Sequence, residues 1–234
     1  MNFVRQVHRL STIAQRTPMA GTRAAKPLIH IDVTSDTVCP WCFVGKRNLE
    51  KAMDASRDKY NFEVKWHPFL LNPNADTKGV GKLEYYKEKF GKERAAAIIE
   101  NMTKVFQELG LNFSIGGLTG STLDSHRLIA LAGRQGYDKQ NALVEELFCN
   151  YFTQEKYIGD RQVLLEAAAK VQIDGAEAWL NDSNAGIDEI QHDLEQYAKG
   201  VSGVPYFLIS GQQRLSGAQP PASFLKAFEL ASST

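Results

Sequence analysis

Two cysteines three positions apart, in the segment Cys39-Pro40-Trp41-Cys42, constrain the fold of this chain more than any other feature. They follow a β-branched, apolar run at 28–33 and precede a segment with helical character. At a helix N-terminus, the first sulfur would lie among unpaired backbone N–H groups and at the positive end of the helix dipole. Both effects favour the thiolate, which is the nucleophile in disulfide exchange. The second sulfur is near enough to form a disulfide with the first, so the motif predicts redox chemistry.

The alternative reading of such a pair is half of a zinc site, which would need two further ligands. The third cysteine of the chain, Cys149, lies far along the sequence, and the five histidines show no ligand spacing. We therefore predict no bound metal. Three cysteines are also too few for a secreted domain held together by disulfides. Cys149 lies among Leu147, Phe148 and Phe152, which predicts a buried, unreactive thiol.

Composition excludes several classes of partner. The 234 residues are 43% hydrophobic and carry no net formal charge, which is ordinary for a globular protein of one or two domains. No run approaches the roughly 18 apolar residues that a membrane span needs. The sequence thus predicts no membrane and no nucleic-acid partner, and it leaves the oligomeric state open.

The N-terminal segment 1–27 differs in charge from the rest of the chain. It contains no acidic residue, and the first acid of the chain is Asp32. Its basic residues are Arg5, Arg9, Arg16, Arg23 and Lys26. An Arg-rich, acid-free leader with hydroxyl side chains is typical of an organelle transit peptide, so we predict a mitochondrial location. The alternatives are a disordered tail or translation from Met19, with a cytoplasmic protein.

The segment 28–75 reads as strand, helix, strand. The first strand covers 28–33, and a helix begins at about Pro40, where proline suits the first turn because its missing N–H would be unpaired there. We expect this helix to extend to about Lys59. Alternating apolar residues predict a second strand over 62–71.

The segment 76–183 is predicted to be a block of helices. An apolar stripe at helical period is formed by Ala95, Ile98, Ile99, Met102, Phe106 and Leu109. Asp160 precedes another apolar helical segment and is a candidate N-cap. Such stripes indicate the core of a helical bundle.

The segment 184–234 returns to mixed structure. A helix ends at Lys199-Gly200, strands are expected at 206–210 and 213–216, and Pro220-Pro221 opens a final helix. The order of elements predicts one α/β domain that contains a helical insertion.

Several motifs together resemble a known family. Cys39-Pro-Trp-Cys42 after a first strand, a helical block, and then Gly203-Val-Pro-Tyr-Phe207 resemble the DsbA-like branch of the thioredoxin superfamily. Within that branch, three segments are similar to FrnE-type proteins: Ser35-Asp-Thr-Val-Cys39-Pro-Trp-Cys42, Leu123-Asp-Ser-His-Arg-Leu128 and Ser216-Gly-Ala-Gln-Pro-Pro221. The resemblance covers about 28–230. It implies an α/β thioredoxin fold with the helical insertion between a β-α-β half and a β-β-α half.

The resemblance also implies roles for individual residues. Cys39 would be the attacking cysteine and Cys42 the resolving one, and Pro205 would be a cis-proline that approaches them across the fold. A proline there presents a carbonyl and no N–H, which suits an edge where an extended substrate peptide pairs. Pro40 and Trp41 are expected to tune the reduction potential. Trp41 and Val204 are also expected to contribute to the substrate surface.

Kappa-class glutathione transferases and 2-hydroxychromene-2-carboxylate isomerases resemble the same branch but have a serine where this chain has Cys39. We therefore expect a protein-disulfide oxidoreductase that acts on protein or peptide thiols and disulfides. It would need no bound cofactor, with glutathione as an electron donor or co-substrate. Two alternatives stay open: a glutathione-dependent transferase or isomerase of small molecules, and a non-catalytic peptide-binding or chaperone-like module.

Three further residues have two possible roles each: Asp36, His126 and Arg127. Asp36 precedes the motif, and we expect an exposed loop carboxylate, with a proton acceptor for the resolving thiol as the alternative. His126 and Arg127 belong to a segment that resembles the family. We expect them to pack between helices or to form a surface salt bridge, with glutathione contact as the alternative.

Overall fold

The computed structural model describes residues 25–233, and the predicted leader lies outside this range except for its last positions. In chain order the elements are β1 (Leu28–Ser35), α1 (Pro40–Ala55), β2 (Asn61–Pro68), β3 (Val80–Gly81), α2 (Lys82–Phe90), α3 (Lys92–Glu108), β4 (Leu118–Thr119), α4 (Leu123–Arg134), α5 (Tyr137–Thr153), α6 (Arg161–Lys170), α7 (Ala176–Asn181), α8 (Ile187–Asp193), a π-helical turn (Leu194–Ala198), β5 (Tyr206–Ile209), β6 (Gln213–Ser216) and α9 (Pro221–Ser232).

A four-stranded sheet in the order β2-β1-β5-β6 forms the centre of the molecule. β1 pairs in parallel with β2 and antiparallel with β5, so that Ile31 lies between Val64 and Ile209. β6 pairs antiparallel with β5 and occupies one edge. This arrangement confirms the predicted thioredoxin fold: β1-α1-β2 forms one half and β5-β6-α9 the other.

The insertion between these halves packs on α1 through aromatic side chains. Phe43 of α1 stacks on Phe148 of α5 with ring centroids 5.1 Å apart, and it meets the edge of Phe106 of α3 at 5.7 Å. All three rings are fully buried. Aromatic pairs at these distances add to the free energy of burial, so the insertion and the thioredoxin part share one core.

The helices confirm several local predictions and correct others. Asp160 caps α6 by accepting a hydrogen bond from the N–H of Gln162 at 2.7 Å. α1 ends at Ala55, before the predicted end near Lys59, because the backbone of Ser56 leaves helical geometry (φ −128°, ψ 13°) and its N–H donates to the carbonyl of Met53. The antiparallel pairing of β3 with β4, across the intervening α2 and α3, was not predicted, since two-residue strands are too short to show alternation.

The single helix predicted before Lys199 is α8 followed by the π-helical turn. His67 of β2 anchors this turn: its ring lies between Asp32, at 2.8 Å, and Asp193, at 2.9 Å. The ring of Tyr197 stacks on His67 with centroids 3.4 Å apart. A buried imidazole with a carboxylate at each nitrogen therefore links the π-helical turn to β1 and β2. Within residues 25–233, no helix is both long enough and apolar enough to cross a lipid bilayer.

Candidate active site

The Cys39-Pro-Trp-Cys42 motif lies where β1 passes into α1. Cys39 is the N-cap residue, with an extended backbone (φ −89°, ψ 111°), and Pro40 occupies the first helical position. The N–H of Cys39 donates to the carbonyl of Asp36 at 3.0 Å, which closes the turn before the helix. The predicted placement of the first cysteine at the helix N-terminus is confirmed, and Trp41 is exposed beside it.

The two cysteines are free thiols that approach to 3.3 Å. Cys42 is completely buried, whereas Cys39 keeps 5% of its surface exposed. Burial raises the pKa of the Cys42 thiol well above its usual value, and the neighbouring Cys39 raises it further. The Ser35 side chain and the Asp36 backbone act in the opposite direction with smaller effect. Cys42 is therefore a neutral thiol near pH 7, and Cys39 is the more exposed member of the pair.

A loop before β5 brings a backbone carbonyl to the first cysteine. The Sγ of Cys39 donates to the carbonyl oxygen of Val204 at 3.6 Å. The following peptide bond, Val204-Pro205, is cis, as the family resemblance implies. Pro205 is buried against α1. The structure thus brings together all six residues of the predicted site, with Pro40 and Trp41 on α1 and the Val204-Pro205 pair opposite.

A cavity of about 540 Å³ opens beside Cys39, between the thioredoxin part and the insertion. Its volume falls within the range of sites that bind small molecules or side chains. Tyr86 and Phe90 of α2 and Tyr151 of α5 contribute to the insertion side, while Trp41 and Val204 belong to the motif side. Cys39 therefore lies in the wall of a largely apolar cavity to which several aromatic side chains contribute.

The expectation of an exposed Asp36 is wrong. Only 1% of Asp36 is exposed, and its carboxylate accepts a hydrogen bond from the N–H of Leu71 at 2.7 Å. Its Oδ1 also lies 3.5 Å from Nε2 of His126. The chain folds Asp36 inward because α4 and the segment after β2 supply these partners, which sequence spacing does not reveal. A role as proton acceptor for Cys42 stays a prediction.

His126 and Arg127 are both buried. Arg127 packs between helices, as predicted, and also pairs with the half-exposed Asp124. Nε2 of His126 instead lies beside Asp36 and the carbonyl of Phe69, which belong to loops. The guanidinium of Arg127 donates to the carbonyl oxygens of Trp179, Asp182 and Ala185 and pairs with a carboxylate on its own helix. These bonds join α4 to α7 and to the segment after it. Arg127 therefore has a structural position away from the thiols.

Cys149 is partly exposed, so the prediction of a buried thiol is wrong in its burial. Partial burial and the carboxylate of Glu145, which accepts from its Sγ at 3.4 Å, raise the pKa of Cys149 to about 11. A thiol with this pKa contains little thiolate near pH 7, which agrees with the predicted low reactivity. Across residues 25–233, no cluster of three or more His, Cys, Asp or Glu side chains is arranged to hold a metal ion.

The sequence did not reveal Tyr86, which lines the cavity together with Cys39. α2 is a short helix without a clear apolar stripe, and nothing in its spacing relates it to the motif. Only the folded insertion brings it opposite the thiols.

The fold, the cysteine pair at the start of α1 and the cis-proline beside it are features of a DsbA-like thioredoxin domain. Residues 30–229 match the family model of the DsbA-like thioredoxin domain, and the chain belongs to this family.

Three known proteins illustrate its relatives. The chain is 31% identical to a probable DsbA oxidoreductase from Streptomyces coelicolor, whose crystal structure superposes with a TM-score of 0.79 over 88% of this chain and 90% of that one. It is 26% identical to the uncharacterized Bacillus subtilis protein YwbO over 202 residues, which are 85% of this chain and 95% of YwbO. The cytosolic disulfide reductase DsbM from Pseudomonas aeruginosa is 16% identical, with a TM-score of 0.62 over 87% of this chain and 98% of DsbM, and shares the fold.

Proposed function

We propose that this chain catalyses thiol–disulfide exchange on protein or peptide substrates, with Cys39 as the attacking and Cys42 as the resolving cysteine. One observation carries the proposal: two free thiols approach to 3.3 Å at a helix N-terminus, and only Cys39 borders the cavity. A buried neutral thiol beside an accessible one is the asymmetry that a two-step exchange requires. Membership of the DsbA-like family supports the same chemistry.

In the reductive direction, the Cys39 thiolate attacks one sulfur of the substrate disulfide. A bond between Cys39 and that sulfur forms, the substrate disulfide breaks, and the second substrate sulfur leaves as a thiolate. Cys42 then loses its proton and attacks Cys39, which releases the first substrate sulfur and leaves a Cys39–Cys42 disulfide. Two electrons have passed to the substrate, and we propose that glutathione supplies two electrons to restore the dithiol.

The residues around the pair have proposed roles in this cycle. The carbonyl of Val204, 3.6 Å from Sγ of Cys39, presents an acceptor to an extended substrate segment, and Pro205 fixes the loop that carries it. The exposed indole of Trp41 packs against the substrate. Pro40 and Trp41 influence the reduction potential through the geometry of the first helical turn.

Cysteine substitutions test this function directly. With glutathione as reductant and insulin as the disulfide substrate, Cys39→Ser should abolish catalysis. Cys42→Ser should accumulate a mixed disulfide at Cys39, which mass spectrometry of the intact protein detects. Cys149→Ser is the matched control and should retain the activity, because Cys149 lies outside the site. Full activity of Cys39→Ser, or an inactive parent protein, would exclude the proposal and would favour a non-catalytic peptide-binding module.

A second candidate is a glutathione-dependent transferase or isomerase of small molecules. The cavity of about 540 Å³ beside Cys39 favours it, because a volume of this size admits a small organic substrate. The two functions differ in their dependence on the first thiol. An isomerase activity that survives in Cys39→Ser would establish the second candidate, since the isomerases that this chain resembles have serine at the position of Cys39.

The FrnE-type subgroup and the mitochondrial location of the protein are part of the same proposal. The three FrnE-like segments support a FrnE-type subgroup, and the Arg-rich leader supports delivery to mitochondria, where the glutathione pool favours reduction. Fusion of residues 1–27 to a fluorescent reporter tests the location. A diffuse cytosolic signal would count against mitochondria and for the cytoplasmic alternative.

A further inference from the structure

Within residues 25–233 the hydroxyl of Tyr86 forms no hydrogen bond, unlike those of the other tyrosines that line the cavity. The hydroxyl of Tyr151 donates to Thr119 at 2.8 Å, and the hydroxyl of Tyr85 accepts from Lys89 at 3.1 Å. Among the residues that the structure describes, no group forms a hydrogen bond with the hydroxyl of Tyr86. Tyrosine hydroxyls at partly buried positions normally find a partner. This hydroxyl is therefore available to a molecule in the cavity.

Tyr86 is held in place by its neighbours on α2. Its ring meets the ring of Phe90 edge-on, with centroids 5.5 Å apart, and that of Tyr85 at 6.4 Å. It borders the same cavity as Cys39. Burial, together with the negative charge that Cys39 acquires, raises the pKa of Tyr86 to about 12. Tyr86 thus stays a neutral phenol that can donate a hydrogen bond. Its pKa responds to the charge at Cys39 across the cavity.

We propose that Tyr86 is a catalytic residue whose hydroxyl donates a hydrogen bond to the substrate sulfur that leaves when Cys39 attacks. This inference rests on the proposed thiol–disulfide exchange and deepens it. In this step, the bond from Cys39 to one substrate sulfur forms and the substrate S–S bond breaks, with its electron pair on the departing sulfur.

Tyr86 stabilises that developing negative charge without giving up its proton. A departing alkyl thiol has a pKa of about 8.5, well below that of Tyr86, so the proton stays on the phenol. The departing thiolate later takes its proton from solvent. A donor placed where charge develops lowers the barrier of the step in which it develops.

This role makes a prediction that depends on the leaving group. An aromatic thiolate delocalises its charge and leaves readily, whereas an alkyl thiolate needs external stabilisation. In the Cys42→Ser background, Cys39 reacts once and stops at the mixed disulfide. With 2-hydroxyethyl disulfide, adding Tyr86→Phe should slow formation of that adduct about 10- to 100-fold, the range of a hydrogen bond to a charged group. With 4,4′-dithiodipyridine the loss should stay below about threefold.

The experiment uses rapid quenching and mass spectrometry of the intact protein. Tyr60→Phe removes the same oxygen outside the cavity, where the Tyr60 hydroxyl accepts from Ser232, and should leave both rates unchanged. Thermal unfolding of Tyr86→Phe should match that of the parent. Unchanged rates with both disulfides, or equal losses with both, would overturn the role of Tyr86 and leave the proposed function intact. If Cys39 formed no adduct in the Cys42→Ser parent, the proposed function would fail, and this inference with it.

Discussion

Gly45 of α1 lies directly against the ring of Pro205. A Cβ atom added to Gly45 would come within 2.9 Å of Cγ of Pro205 and within 3.1 Å of the ring of Phe207. Cβ atoms almost never come as close as 2.9 Å to another heavy atom, so glycine lets the helix that begins with the two cysteines approach the loop before β5 without displacement. The approach places the Val204 carbonyl at Cys39.

The first prediction therefore concerns this contact. Gly45→Ala should lower the free energy of unfolding by about 1–3 kcal/mol, the usual cost of an overpacked core, although alanine favours a helix. It should also slow disulfide exchange, because Val204 moves away from Cys39. Urea denaturation measures the first effect. Gly203→Ala is the stability control, since a Cβ there meets nothing within 4 Å. Equal stability of the two variants would show that the loop containing Pro205 moves aside without cost, which would contradict the prediction.

Alkylation should separate the two thiols of the motif. Iodoacetamide reacts with thiolates, and the pKa of Cys42 lies well above its usual value because of burial. At pH 8 the folded protein should therefore be modified at Cys39 long before Cys42, and unfolding in urea should make the two react alike. Peptide mass spectrometry locates the label. Modification of Cys42 in the folded protein as fast as Cys39 would contradict the buried, neutral second thiol.

Lys82 should make stability depend on pH. Its ammonium group is buried and donates to the carbonyl of Tyr151 at 2.7 Å, and burial lowers the pKa of Lys82 from 10.5 to about 8. Between these values the unfolded chain binds a proton that the folded protein has released, so the free energy of unfolding rises with pH.

Comparison with Lys82→Met isolates this effect, since other titrating groups cancel in the difference. The stability of the wild type relative to Lys82→Met should be constant below about pH 7 and should increase from there to pH 10. Urea denaturation of both proteins at pH 6, 7 and 10 measures it. A difference that is flat over this range, or that falls, would show that Lys82 titrates normally in the fold.

Arg127 should be far less replaceable than Arg134 on the same helix. Arg127→Lys leaves a single ammonium in place of a fork that serves three carbonyls, and unpaired buried carbonyls cost about 1–3 kcal/mol each. We expect a loss of about 2–4 kcal/mol in urea denaturation. Arg134→Lys alters an exposed pair with Glu189 and should cost about 0–1 kcal/mol. Similar losses in both variants would contradict the structural role of Arg127.

Patterns of a few neighbouring residues were enough to predict many of the helix and strand positions. The position of Pro40 in the first turn, the cap at Asp160 and the return strand at Gln213–Ser216 each follow from rules that act over a few residues. The cis bond before Pro205 followed from the family resemblance, because local sequence does not distinguish it from a trans bond.

What the sequence missed depends on contacts between distant segments. Asp36 is buried because α4 brings His126 to it, and Tyr86 borders the same cavity as Cys39 because the insertion packs beside the motif. The π-helical turn carries Tyr197 onto His67, a contact between residues far apart in the chain. Periodicity describes one element at a time, so it gives no access to such pairs.

Two parts of the chain form the wall of the cavity beside Cys39. The thiols, α1 and the loop before β5 come from the thioredoxin part, whereas α2 and the paired strands β3 and β4 belong to the insertion. Natural variation in the insertion can therefore reshape selectivity while the sulfur chemistry stays constant. Members of such a family can therefore differ in their substrates while the cysteine pair stays the same. Exchange of the insertion between two relatives should transfer the substrate preference.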